Sequence, residues 1–310
     1  MISHLFNITI VHYIPWLILV FMGSCWGFNF SLAKIATGAG GSAFGIAFWQ
    51  AAISALIIYC FSLSRNPFQF PKTHLRLIVV VALLGAAIPS VLFFLAASHV
   101  PAGVLAITTA LVPGVTYALA IPMRIEVPSF VRFSGVVLGA ISILLLVLPE
   151  TSLPTPESVP WVLLACVASS CYSIENIVLS NDSAKIFGPV RLAWGMNFCA
   201  ALILLPFTVY LDGFIMPRFP FSTLEYSIFG IGILNACAYT LFIVSVQNYG
   251  PIFASQTGYI VTISGVIWGI ILFEEDHSVW VWASIVTIIT GLVLVNPKKT
   301  SKALSKKHRI

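Results

Sequence analysis

The chain has 310 residues, of which 59% are hydrophobic and only 8% charged, with a formal net charge of +5. A soluble domain carries about 25% charged residues, so the composition excludes a soluble globular protein and points to one crossing a membrane many times. The positive excess does not mark a nucleic-acid surface, because Lys298, Lys299, Lys302, Lys306, Lys307 and Arg309 crowd into the C-terminal tail, where they suit anionic headgroups.

A spanning helix needs about 20 mainly apolar residues. The first candidate runs from Pro15 to Ala36, the second from Ala43 to Leu63 and the third from His74 to Ser98. Pro101 opens a fourth, to Met123, as proline suits a first helical turn, and Phe130 to Leu148 is the fifth. Pro149 to Glu157 is proline-rich and cannot be helical throughout. The pattern then restarts with Val159 to Leu179, Pro189 to Leu211, Thr223 to Gln247, Pro251 to Phe273 and Ser278 to Val295. The expected fold is therefore an all-α polytopic membrane protein of ten transmembrane helices. No Lys or Arg precedes the first span, which reads as retained and not as a signal peptide.

Charge sets the expected orientation. With the N-terminus inside, Arg65, Lys72, Arg76, Arg124, Arg132, Lys185, Arg191 and the tail lie on the cytoplasmic side, and only Lys34 and Arg218 lie outside. Both termini are expected in the cytoplasm, in a bacterial inner membrane.

The first span carries Ser24-Cys25-Trp26-Gly27-Phe28-Asn29-Phe30-Ser31-Leu32-Ala33-Lys34, and the sixth echoes it as Ser170-Cys171-Tyr172-Ser173-Ile174-Glu175-Asn176. At an offset of about 146 to 148 residues Phe94 falls on Phe242, Thr109 on Thr257, Glu126 on Glu274 and Pro149 on Pro297. Five spans per half is an odd number, so the halves enter the membrane in opposite senses, as in secondary transporters built from inverted repeats. The expected organisation is a first repeat over 1–149, a linker over 150–158, a second repeat over 159–297 and a basic tail over 298–310.

These residues resemble the EamA family of the drug/metabolite transporter superfamily. The likeness rests on Trp26-Gly27 followed by aromatics, Leu111-Val112-Pro113, and the glutamates Glu126 and Glu274 between the last two spans of each half. The resemblance implies two inverted five-helix repeats around a central cavity lined by spans one, three, four, six, eight and nine. It also implies transport of small metabolites, often amino acids or their relatives, commonly with proton coupling. Tyr172 stands where a second Trp would echo the first span, and Val261 where a second Pro would echo Pro113.

Glu175 is the carboxylate set inside a span and the sharpest single candidate, as a proton carrier or an ammonium ligand. The alternatives are an acid that reaches headgroup water or a pin bonded to Asn176. Its repeat counterpart Asn29 suits packing or substrate contact equally, and Lys34 snorkels to the interface or captures a carboxylate. Thr109 in span four, Asn235 and Tyr239 in span eight, and Gln256 and Tyr259 on one face of span nine complete a polar lining. With Trp26, Phe94 and Tyr172 they form the expected substrate site.

The six cysteines lie in apolar segments with no metal-ligand spacing, the histidines lie near span ends, and no HExxH or GxSxG occurs. No catalytic residue, metal or cofactor is expected. The reading is a secondary transporter of a small polar metabolite, an amino acid or relative, working by alternating access as a proton-coupled exporter. The expected partners are the lipid bilayer, the substrate and protons, without nucleic acid, in a monomer or homodimer. Uptake, an embedded enzyme and a scaffold are the alternatives.

Overall fold

The computed structural model describes residues 2–63, 74–149, 153, 155–211 and 213–295, with side chains from residue 13 onward. Arg65, Lys72, Pro297 and the basic tail lie outside the described residues, as do residues 150–152 and 154 of the linker.

Continuous apolar composition makes helix the only backbone that satisfies its own polar groups across a bilayer. The first helix, α1, spans Ile2–Gly38, and α2 spans Ala43–Leu63. The sequence suggested a start at Pro15, but no Gly or Pro precedes it to interrupt the backbone, so the helix continues back through it. The third span consists of α3 (Leu75–Ala82), a π-helical turn over Leu83–Ala87 and α4 (Ile88–Ala97). The fourth is broken in the middle into α5 (Ala102–Thr108) and α6 (Leu111–Ala120), and α7 covers Phe130–Val147.

A 3-10 turn at Pro156–Ser158 leads into α8 (Val159–Leu179), and a short α9 (Asp182–Phe187) precedes α10 (Pro189–Tyr210). A capping box in which Ser222 and Glu225 satisfy each other's ends starts α11 (Thr223–Tyr249). The ninth span is again broken, into α12 (Pro251–Ser255) and α13 (Thr257–Phe273), and α14 is Val279–Val295. Among the described residues, nine helical segments reach membrane-spanning length, and α14 is a shorter apolar helix of 17 residues.

The packing is symmetric and interleaved. Helix α1 lies against α11 and α13, and its repeat counterpart α8 lies against α4 and α6. The pairs α2–α10 and α7–α14 each join equivalent helices of the two halves. Exchanging the halves maps this neighbour set onto itself, as a two-fold requires. Since each half crosses the bilayer an odd number of times, that axis lies in the membrane plane, giving inverted repeats. At the α7–α14 crossing, a Cβ on Gly291 would come 2.7 Å from the Gly135 carbonyl, and one on Gly135 would strike the Gly291 carbonyl. Glycine at both positions lets the backbones touch.

Candidate functional site

The breaks in the fourth and ninth spans fall at equivalent places, Thr109–Ala110 and Gln256, and they meet. A Cβ on Gly258 would come 3.0 Å from the Thr109 carbonyl. Hydroxyls occupy the carbonyls that the breaks release. Thr109 Oγ1 donates to Ala106 O at 2.7 Å, Ser255 Oγ to Ile252 O at 2.9 Å and Thr257 Oγ1 to Ala254 O at 2.7 Å. Thr262 Oγ1, from α13, also donates to Ala106 O, at 3.1 Å, which stitches the two broken spans together.

Beside this crossing lies a cavity. Spans one, two, three, four, six, eight and nine all contribute to its wall. Of the residues expected from sequence, the cavity gathers Trp26, Asn29, Phe94, Thr109, Tyr172, Asn235 and Tyr239. The aromatic wall is two-fold in character. Trp26 of α1 meets Tyr239 and Phe242 of α11 edge-on, at 5.5 and 5.2 Å between centroids. Its counterpart Tyr172 of α8 stacks on Phe93 of α4 at 6.1 Å. Among the described residues, none that lines the cavity is charged.

Glu175 does not line the cavity; it stands immediately behind Tyr239. Its side chain is fully buried, with Oε2 2.5 Å from Tyr239 Oη and Oε1 without a hydrogen-bond partner. The same phenol lies 2.9 Å from the Gly85 carbonyl in the π-helical turn. A Cβ on Gly85 would fall onto the Glu175 carboxyl, so the turn and the missing side chain together make room for the acid. Asn176 does not pin Glu175; its Nδ2 donates to Thr116 Oγ1 at 3.3 Å.

Gln256 and Tyr259 are placed elsewhere. They face a separate crevice with Trp16, Leu19 and Val293, between α1, the ninth span and α14. The reason is helical phase. Ser255, Gly258 and Val261 take the cavity side, so positions 256 and 259 turn away from it. Gln247 is spent on the Ala184 carbonyl at 2.9 Å and does not reach the site either.

Two polar residues, Gln50 and Ser90, line the cavity without a sequence motif to announce them, and Ser54 and Asn197 back Asn235 behind it. Gln50 Nε2 donates to Ser90 Oγ at 3.1 Å, and both line the cavity. Asn235 Oδ1 accepts from Trp26 Nε1 at 3.3 Å, and its Nδ2 reaches Ser54 Oγ at 3.2 Å and Asn197 Oδ1 at 3.4 Å. The available signal was the Gln50/Ser54 spacing of four residues, which sets two polar side chains on one face of an apolar span.

At the Lys34 end of the bundle a second cluster ties three segments together. Lys34 Nζ lies 3.0 Å from Glu275 Oε1 and 5.0 Å from the Phe273 ring. Both Glu275 oxygens accept backbone N–H groups at the start of α5, from Ala102 at 2.7 Å and Gly103 at 3.0 Å. His277 Nε2 is 3.7 Å from Glu275 Oε2. Burial pushes the His277 pKa down, against the opposing pull of Glu275 and Asp276. Glu126, in the connection equivalent to this one, pairs with Arg132 of α7 at 2.7 Å.

Interleaved inverted repeats around an uncharged, aromatic central cavity define a membrane-embedded, solute-binding helical bundle. A family model described as the EamA-like transporter family matches residues 14–148 and again 159–296. The chain belongs to that family and is a membrane transporter of the drug/metabolite type. A search of solved structures matches 28 chains. One, described only as the crystal structure of a protein, superposes with a TM-score of 0.66 at 16% identity, covering 91% of this chain and 96% of that one, which is a likeness of fold. A search of curated proteins finds no match.

Proposed function

We propose that the chain is a proton-coupled exporter of a small polar metabolite, an amino acid or a related amine, working by alternating access, with Glu175 as the proton carrier. The observation that carries this reading is a hydrogen count. The Tyr239 hydroxyl has one proton and faces two oxygens, Glu175 Oε2 at 2.5 Å and Gly85 O at 2.9 Å. The phenol can donate its one proton fully to only one of them, and a protonated carboxyl resolves the conflict, Glu175 donating to the phenol and the phenol to Gly85. An ionised Glu175 would draw the phenol proton to itself and away from the Gly85 carbonyl, with its own Oε1 still unpartnered.

The arrangement supports reading this conformation as a proton-holding state. Tyr239 also lines the cavity, so a substrate that moves the phenol disturbs the proton site directly. A conformation that brings Glu175 to water releases the proton, and the coupling is the difference in proton affinity between the two conformations. The substrate site, in the cavity lined by Trp26, Asn29, Phe94, Thr109, Tyr172, Asn235 and Tyr239, adjoins the proton site through that one phenol.

The two repeats extend over 1–149 and 159–297, with both termini on the cytoplasmic side of the inner membrane. The clustering of basic residues in the tail and in alternate connections supports that orientation. The test is substrate flux in proteoliposomes driven by an imposed pH gradient. Glu175→Gln is expected to insert and fold normally while losing the response to the gradient. Gradient-driven flux at the full rate in that variant would overturn the assignment.

A further inference from the structure

The two ends of the cavity are closed by different means. At the Lys34 end, α5 runs inward to the cavity wall at Thr109 and lies along α13 with the backbones nearly touching. A Cβ on Gly265 would land on the Ala106 methyl, and one on Gly269 would come 3.1 Å from Gly103 N. Thr262 Oγ1 adds its bond to Ala106 O. Over this contact sits Glu275, its side chain only 6% exposed, which accepts from Ala102 N and Gly103 N and pairs with Lys34. One carboxylate thus joins α1 and α5 of the first repeat to the connection before α14 of the second. The equivalent positions at the opposite end hold none of these parts. On the register that superposes Thr109 on Thr257, Val127 stands for Glu275, and Pro251, which has no N–H, stands for Gly103. Tyr117 stands for Gly265 and Ile121 for Gly269, and on the register of Asn29 and Glu175, Ser180 stands for Lys34. What meets there is apolar: Tyr117 and Ile252 share one cluster with Ala120 and Ile177.

We infer that Glu275 is the latch of a gate: it holds the cavity shut at the Lys34 end in the resting protein, and the opposite end is the one that opens more readily. Opening toward Lys34 separates α5 from α13 and breaks two charge-assisted hydrogen bonds and an ion pair together. It also gives up the close backbone contact that Gly265 and Gly269 allow. Opening at the other end parts apolar side chains. The two conformations are therefore unequally populated, and the inequality is set by residues that touch neither the substrate site nor Glu175. The inference rests on the alternating access proposed above.

The experiment reads access to the cavity from each face of the membrane. Val112→Cys sets a thiol on the cavity wall, and a membrane-impermeant maleimide is applied to whole cells or to inverted vesicles, with labelling of that peptide followed by mass spectrometry. Ala39→Cys, exposed at the Lys34 end, reports which face that end occupies. Labelling of the wall is expected to be about tenfold or more slower from the Lys34 face than from the other, as for a minor open state of about 1–10%. Adding Glu275→Gln, which keeps the shape and removes the charge, is expected to speed labelling from the Lys34 face about tenfold without speeding it from the other. Gly265→Ala, which wedges α5 off α13, is expected to do the same. Faster labelling from the Lys34 face with the latch intact would overturn the inference. So would no response to Glu275→Gln (or to Gly265→Ala, should the first variant not insert), and so would equal acceleration from both faces, the mark of a merely loosened bundle. Because the assay uses neither substrate nor gradient, gated access without pH-driven flux would count against the proposed function alone. Flux driven by pH with ungated access would count against this inference alone.

Discussion

Tyr239 and Glu175 come from α11 and α8, 64 residues apart in sequence, and meet at 2.5 Å across the boundary between a cavity wall and a fully buried acid. Replacing Tyr239 with Phe keeps the ring and removes the only hydroxyl that joins the acid to the Gly85 carbonyl. The buried oxygens left without a partner cost about 1–3 kcal/mol, so the melting temperature drops. Gradient-driven flux is expected to fall by about tenfold or more while the edge-on contact with Trp26 persists. A Phe variant with normal coupling would place the proton elsewhere.

Gly85→Ala isolates the space around Glu175. Alanine is the better helix former and would add stability in an ordinary helix. Here the new Cβ falls on the Glu175 carboxyl, and the expected result is a loss of about 1–3 kcal/mol with loss of coupling. Thermal unfolding followed together with flux checks it; a stabilised, fully coupled Ala variant would refute the packing argument.

The cluster at Lys34 predicts a graded series. Lys34→Met removes a partly exposed ion pair worth about 1 kcal/mol or less. Glu275→Ala also strips two N–H groups at the start of α5 of their acceptor and is expected to cost more, about 2 kcal/mol. Unfolding midpoints should therefore rank wild type, then Lys34→Met, then Glu275→Ala.

His277 gives a pH dependence with a definite sign. Burial lowers its pKa from the ordinary 6.5. As pH falls through about 6.5 the unfolded chain takes up a proton that the folded protein still refuses, so folded stability drops on acidification. It levels off only below the folded value. Melting temperatures measured between about pH 7.5 and 5.5 should decline more steeply in the wild type than in His277→Gln.

Much of the fold was legible because bilayer length and apolar composition write the spans directly into the sequence, and because Ser-Cys-aromatic at Cys25 and Cys171 betrays the repeat. The π-helical turn at Leu83–Ala87 was not legible. Within it the Glu175 carboxyl packs against Gly85, a partner far away in sequence. Asn29 and Thr109, which combine polarity with repeat symmetry, line the cavity, whereas Glu175 stands behind Tyr239. Gln256 and Tyr259 face a separate crevice, because polarity alone does not say which way a face of a helix turns. Gln50, Ser90 and Asn197 were passed over because a lone amide or hydroxyl in a span is ordinary interhelical glue.

The interleaved packing of α1 and α8 sets the order in which the molecule can be made. During synthesis α1 enters the bilayer with Trp26, Asn29 and Lys34 while α11, α13 and Glu275 are still unborn. The first five spans therefore wait in lipid with Trp26 Nε1 and Lys34 unmatched, though Gln50 and Ser90 already have each other. The nascent first half keeps its own contacts, α2 on α4 and α6 on α7, but lacks the partners that flank α1 until the second half threads in. Closing the bundle is a late event of high contact order, and Trp26 and Lys34 are left without their partners during that wait.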